Sequence, residues 1–235
     1  MVRVAGVTKR YGALEALKGV SAEFPAGAVT AVVGPNASGK TTLMKTILGL
    51  VIPDGGEVYV LDQPALKNPK VREHIGYMPQ DPRFPENVTV KEVIHWIQEL
   101  RGRRSSAAEE LISYFGLEPH LGKPTRFLSG GTRQKLSAVI AFLFDPEVLI
   151  LDEPTAGLDP LASSRFKDRV AAERDKGKAV ILTSHVMSEL EELADRLVFL
   201  LEGQVVFSGL VNELREKTGE ERLERAVARL MTEAG

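Results

Sequence analysis

The 235-residue chain has no cysteine, which removes disulfide frameworks and thiolate metal sites and is compatible with a reducing compartment. Its four histidines are scattered, so no metal-ligand cluster is visible. Positive charge is not in excess either. A formal net charge of -2 argues against a broad electrostatic nucleic-acid surface. No apolar run approaches the ~18 residues a membrane-spanning helix requires. The longest, Ala138–Phe144 and Leu197–Leu201, have the length of core segments. The start, Met1-Val2-Arg3-Val4-Ala5-Gly6, lacks a signal-peptide profile. Internal repeats and low-complexity stretches are absent too. Any membrane role is therefore borrowed from a partner.

What remains is ordinary for a soluble globular protein: 43% hydrophobic and 26% charged residues. The length suits one large domain with room for an inserted subdomain. Strand-like runs recur at Val2–Val7, Val20–Phe24, Ala28–Val33, Glu57–Leu61, Val148–Leu151, Ala179–Thr183, Leu197–Leu201 and Val205–Phe207. Helical patterns fall between several of them, which predicts a mixed α/β fold around a mostly parallel sheet. The closely spaced early strands predict an antiparallel β portion beside it. Between about residues 85 and 128 the pattern turns helical. Thr89-Val90-Lys91-Glu92 and Ser106-Ala107-Ala108-Glu109 both read as capping boxes. Arg101-Gly102-Arg103-Arg104 reads as a solvated loop between those helices, with a binding patch as the alternative. Thr218-Gly219-Glu220-Glu221, followed by Leu223, Val227 and Leu230 on one stripe, predicts a short amphipathic closing helix in the tail, residues 212–235.

The strongest local signal is Gly34-Pro35-Asn36-Ala37-Ser38-Gly39-Lys40-Thr41, a complete G-x-x-x-x-G-K-[ST] phosphate loop. Glycines let successive N–H groups point into one concavity, and the helix that follows adds its positive end. Lys40 can reach β- and γ-phosphates, and the Thr41 hydroxyl suits Mg²⁺. The β-branched run Val29–Val33 precedes the loop, and a helical run follows through Thr42 to Leu48, with Gly49 as its stop.

Such loops need a carboxylate at the end of a neighbouring apolar strand. Val148-Leu149-Ile150-Leu151-Asp152 supplies one, and Glu153 is placed to orient or deprotonate an attacking water. Leu128-Ser129-Gly130-Gly131 precedes a second helix, expected over 132–144. Ser129 can cap it, and the glycines leave N–H groups open to an anion. One nucleotide has no evident need for two such turns in one chain. A head-to-tail dimer resolves this, each nucleotide being clasped by the loop of one copy and the Ser-Gly-Gly turn of the other. His185 follows the strand Ala179–Thr183 at the carboxyl edge of the sheet, where a phosphate sensor or a structural histidine is expected. Gln80 follows Ile75-Gly76-Tyr77-Met78-Pro79 at a similar edge, either as a reporter of nucleotide state or as a polar loop residue. Tyr11 either stacks on an adenine face or is an exposed turn aromatic.

Taken in order, these pieces resemble the ATP-binding cassette (ABC) ATPases over nearly the whole chain. Tyr11 falls at the family's adenine-stacking aromatic, Gly34 to Thr42 at Walker A and Gln80 at the Q-loop. Leu128-Ser129-Gly130-Gly131-Thr132-Arg133-Gln134 resembles the signature, and Leu149 to Glu153 resembles Walker B. Ala156-Gly157-Leu158-Asp159 resembles the D-loop, and Ser184-His185 the switch histidine. Ala37 and Thr132 depart from the usual Gly and Gln. The resemblance implies an α/β phosphate-loop core with an antiparallel β subdomain and an all-helical insertion. The cassette would occupy residues 1–211, and its activity would be ATP hydrolysis. It implies Glu153 as catalytic carboxylate and His185 as γ-phosphate sensor, with Gln80 joining Thr41 and Asp152 around Mg²⁺. It implies two partners, a second copy of the chain and an integral membrane permease that holds the ATPase on the cytoplasmic face. No nucleic acid is expected. The stretch Leu223-Glu224-Arg225-Ala226-Val227 resembles the tail of ABC-2 exporter ATPases. Ile75–Gln80 with Phe84–Asn87 resembles ATPases of copper handling and nitrous oxide reductase maturation. The rival class is a non-transport cassette acting on DNA or the ribosome.

Overall fold

The computed structural model describes residues 1–234; of the predicted tail, Gly235 lies outside the described residues. The chain opens with a hairpin, β1 (Val2–Tyr11) and β2 (Leu14–Phe24), paired antiparallel through a tight turn at Gly12-Ala13. Then come β3 (Ala28–Val33), the helix α1 (Lys40–Ile47), β4 (Gly55–Val60), the short β5 (Gln63–Pro64) and β6 (Ile75–Met78). A helical stretch follows: α2 (Val90–Leu100), α3 (Ala108–Tyr114) and α4 (Gly130–Phe142). The chain returns to alternation with β7 (Val148–Asp152), α5 (Pro160–Asp175), β8 (Ala179–Thr183), α6 (Met187–Leu193), β9 (Arg196–Leu201) and β10 (Gln204–Leu210). It closes with α7 (Val211–Thr218) and α8 (Leu223–Ala234).

Two sheets result. One is antiparallel, in the order β2-β1-β4-β5. The other runs β10-β9-β3-β8-β7-β6 and is parallel except at its β10 edge. The central strands are almost wholly apolar because both faces are covered, with only Thr30, Asp152 and Thr183 polar in β3, β7 and β8. Their period of two divides the core in half. Val29, Ala31, Leu149, Leu151, Val180, Leu182 and Phe199 face the helices, where Phe115, Phe142 and Phe166 cluster. Val32, Ile150, Ile181, Val198 and Leu200 face α1 and the antiparallel sheet.

The Thr89 capping box forms as expected: Thr89 N–H donates to Glu92 Oε2 at 2.8 Å, and Glu92 N–H to Thr89 Oγ1 at 3.3 Å. The other two boxes do not. Ser105, not Ser106, accepts from Ala107 N–H, and α3 begins at Ala108 with no side-chain cap. Thr218 ends α7 instead of starting a helix. Its hydroxyl back-bonds to the Leu214 carbonyl at 2.8 Å, and Gly219 takes the left-handed C-terminal conformation. The tail is therefore two helices, where one was expected. Leu223, Ala226, Val227 and Leu230 of α8 are buried, and Glu191 of α6 fastens the pair by accepting from Leu223 N–H (3.2 Å) and Arg215 Nη2 (3.0 Å). β6 is absent from the expected strand runs, although Gln80 is expected at a sheet edge after it, because Gly76 weakens the pattern. A Cβ there would sit 2.1 Å from the Ala141 carbonyl of α4, so only glycine admits that helix.

Candidate functional site

The parallel sheet brings the carboxyl ends of β3, β7 and β8 side by side, with the Lys40 helix rising from the β3 end. A cavity of about 270 Å³ opens there, lined among others by Tyr11, residues 36–42, Gln80, Asp152, Glu153 and His185. Sequence positions more than 170 residues apart thus meet in one concavity, as the topology of open α/β sheets directs.

Its floor is the phosphate loop. Gly34 and Gly39 approach other backbone closely: added Cβ atoms would lie 2.1 Å from the Leu200 carbonyl and 2.6 Å from the Ala16 carbonyl. No side chain caps α1, so its leading N–H groups are left to a ligand. Lys40 Nζ folds over the loop, donating to the Gly34 and Pro35 carbonyls at 2.7 and 2.9 Å. Burial lowers its pKa, against the opposing pull of the Glu153 and Asp152 carboxylates. Ala37 has φ of 63°. An alanine in this left-handed region costs about 1 kcal/mol that glycine avoids. Ala37→Gly is therefore expected to raise the melting temperature by ~2–4 °C without weakening ATP binding, as thermal unfolding with and without nucleotide would measure.

The wall opposite is acidic and ordered by Thr183. The Thr183 hydroxyl donates to Asp152 Oδ1 at 2.6 Å and accepts from Glu153 N–H at 3.0 Å, so one side chain fixes both neighbours. Glu153 has φ of 51°, a strained conformation of the kind found at working sites. Its carboxylate accepts from His185 N–H at 3.2 Å and lies 3.3 Å from His185 Nε2. Burial pushes the Glu153 carboxyl up, with Asp152 adding to the rise. His185 and Lys40 oppose it. A buried carboxyl of raised pKa beside a histidine, in reach of a phosphate loop, is equipped to take a proton from water.

Tyr11 stands at the mouth as the last residue of β1, 48% exposed, with Lys9 Nζ 5.5 Å from its ring centre. Gly34 and Pro35, whose carbonyls hold Lys40 Nζ, begin the loop but do not line the cavity. Ser129, Gly130 and Gly131 do not line it. Ser129 does cap α4, accepting from Thr132 N–H at 3.2 Å. Gly130 is exposed, and Gly131 packs against the Gly157 carbonyl, 2.6 Å from where its Cβ would be. Leu14 and Ala16 were not anticipated as lining residues. Reading the second strand from Val20 hid them, although Leu14 pairs directly with Tyr11. Thr183 was missed as well, despite ending an apolar strand as Asp152 does.

Fold and cavity together define a phosphate-loop nucleoside triphosphatase. Residues 17–156 match the ABC transporter family. The chain is 35% identical over 228 residues to the daunorubicin resistance ATP-binding protein DrrA3 of Streptomyces coeruleorubidus, covering 95% of this chain and 72% of that one. It is 34% identical over 215 residues to the Nod factor export ATP-binding protein I of Burkholderia orbicola strain AU 1054, covering 89% and 71%. The ATP-binding subunit of an ABC transporter superposes with a TM-score of 0.92 at 28% identity, covering 98% of this chain and 99% of that one. A dimeric ATP-binding cassette in a post-hydrolysis state with ADP and Pi gives 0.80 at 26% identity, covering 89% and 98%. The chain belongs to the ABC transporter family and is one of its ATP-binding, ATP-hydrolysing cassettes.

Proposed function

We propose that this cassette is the ATPase subunit of an exporter: two copies close head to tail over two ATP molecules and drive a separate membrane permease. The supporting observation is the division of the anion-binding parts. The phosphate loop, Gln80, Asp152, Glu153 and His185 share one cavity, whereas the Ser129-Gly130-Gly131 turn stands outside it with an exposed helix N-terminus. That turn is left for the nucleotide of another copy. Export follows the relative named for Nod factor export. Among the described residues no helix is long and apolar enough to cross a membrane, so a permease is a separate chain in this reading. Residues 1–211 form the ATPase unit, with 85–128 as the helical insertion that meets the permease and 212–235 as the tail.

The residues present fit Mg²⁺. Thr41, Gln80 and Asp152 are oxygen donors on one cavity, and Thr183 holds the Asp152 carboxylate in place. Mg²⁺ prefers such a sparse set completed by phosphate oxygens and water. Bound there, it would neutralise developing phosphate charge. Lys40 and the loop N–H groups hold the β- and γ-phosphates, and Tyr11 stacks on the adenine. Glu153 takes the proton of the attacking water, and His185 bonds to the γ-phosphate. Positioning and electrostatics carry most of the catalysis.

The dimer is tested at Gly130, where an added Cβ meets nothing within 4 Å. Gly130→Asp puts a negative charge at the helix end meant for the other copy's γ-phosphate. In a Glu153→Gln background, sedimentation with Mg·ATP is expected to give a dimer, and the Gly130→Asp chain a monomer that still binds ATP. Equal dimerisation of both would overturn the arrangement.

A further inference from the structure

Glu189 is an acidic residue at the third position of α6, where such a residue ordinarily reaches back to the N-cap backbone. Here it does not. The N-cap Val186 N–H is taken by Ser184 Oγ at 3.0 Å, and no side chain of α6 caps the helix. The Glu189 carboxylate turns to two hydroxyls instead. Its Oε2 accepts from Thr155 Oγ1 at 2.6 Å and from Ser184 Oγ at 3.2 Å.

Those two hydroxyls flank the reacting pair. Thr155 lies two residues after Glu153, in a turn closed by Ala156 N–H donating to the Glu153 carbonyl at 3.2 Å. Ser184 immediately precedes His185. Glu153 is held in a strained conformation and His185 is exposed on a loop. The contact between them, His185 N–H to the Glu153 carboxylate at 3.2 Å with Nε2 at 3.3 Å, needs both loops held in register. We infer that Glu189 is a positioning residue for ATP hydrolysis: one carboxylate oxygen ties the Glu153 loop to the His185 loop and sets the distance between base and histidine. This rests on the reading of Glu153 and His185 as the hydrolytic pair.

Removing such a tie misplaces reacting groups while leaving the phosphate loop intact. That lowers kcat at nearly constant KM. The test is steady-state ATPase kinetics and ATP binding on the full chain. Glu189→Ala is expected to lower kcat ~10-fold with KM within about twofold. Glu189→Gln keeps an acceptor oxygen in place and is expected to recover to within about threefold of the parent. Thr155→Val removes one hydroxyl at constant shape and lowers kcat on its own. Added to Glu189→Ala it costs nothing further, because both act through one contact. The inference is overturned if Glu189→Ala keeps parental kcat, if Glu189→Gln is as impaired as Glu189→Ala, or if Thr155→Val leaves kcat unchanged. Glu153→Gln run in parallel separates the two layers. Turnover surviving in that variant removes the hydrolytic pair itself; its loss, with Glu189→Ala fully active, removes only the role of Glu189.

Discussion

Glu153→Gln is expected to lower ATP turnover by ~10²–10⁴-fold while ATP still binds with near-parental affinity. The amide keeps the shape and the acceptor oxygen for His185 N–H but cannot take a proton from water. Single-turnover hydrolysis and equilibrium ATP binding would measure the two effects separately, and parental turnover would dismiss Glu153 as the base. The same substitution is expected to stabilise the nucleotide-free chain at neutral pH. Burial first, then Asp152, raises the Glu153 pKa in the folded state, so its ionised form costs stability as pH rises through that value. Glutamine removes that cost, so the variant is the more stable chain wherever the parent's carboxyl is ionised. The gain vanishes as pH is lowered and the parent's carboxyl protonates. The parental ATPase is likewise expected to lose activity on acidification at a higher pH than an ordinary carboxylate would dictate. Melting temperatures of both chains across pH, beside the rate profile, check the sign.

The second large effect lies at the opposite edge of the sheet. Glu173 ends the buried stripe of α5 after Ala162, Phe166 and Val170, with its side chain 1% exposed. Three cations converge on it: Arg169 Nε at 3.0 Å, Lys176 Nζ at 2.9 Å and Lys178, which also pairs with Asp145. Burial alone would push its carboxyl up, but the hydrogen bonds and charges of Lys178, Lys176 and Arg169 outweigh it and hold the pKa below the usual value. Glu173→Ala removes the anion shared by Lys178 and Arg169, 10% and 14% exposed, and leaves them only the exposed carboxylates of Asp145 and Glu110. Because each cation keeps one partner, the loss falls below the ~3–5 kcal/mol of a fully stranded buried charge; at about 2–3 kcal/mol it lowers the melting temperature of a chain of this size by roughly 5–10 °C. The parental advantage is present above the unfolded-state pKa of a glutamate and is lost as pH falls through the depressed folded value. The activity of the folded fraction should be unchanged, because Lys178 and Asp145 precede β8 and β7 while Asp152 and Thr183 end β7 and β8. A melting curve indistinguishable from the parent's would show the cluster to be idle.

How far the sequence could be read depended on the range of the forces at each position. Ala28–Val33 and Ala179–Thr183 were legible to the residue, since burial on both faces makes each a compact run of β-branched and aliphatic residues with a single threonine. The phosphate loop was legible because its chemistry is local. The capping boxes show where local chemistry misleads. Thr89 obeys it, but Thr218 gives its hydroxyl to Leu214 within α7. The Glu173 cluster was not visible, because a lone Glu among Arg and Lys on a helix reads as a solvated face until tertiary packing buries it. Thr183 and Glu189 were missed because their partners lie 30 or so residues away, and only the fold brings those hydroxyls and carboxylates together. Ala37 was legible as a departure. Its backbone angle turns that departure into a specific cost.

The helix that carries Glu189 has a second attachment on its far side, where Glu191 grips the start of α8 and the side chain of Arg215. Two residues apart on one short rod, these carboxylates make α6 a lever, its one arm ending beside the nucleotide and its other in the C-terminal pair. A body fused to or clasping that pair would have mechanical access to the hydrolytic step without entering the cleft. The same linkage would let a dye on α8 report each cycle of the motor.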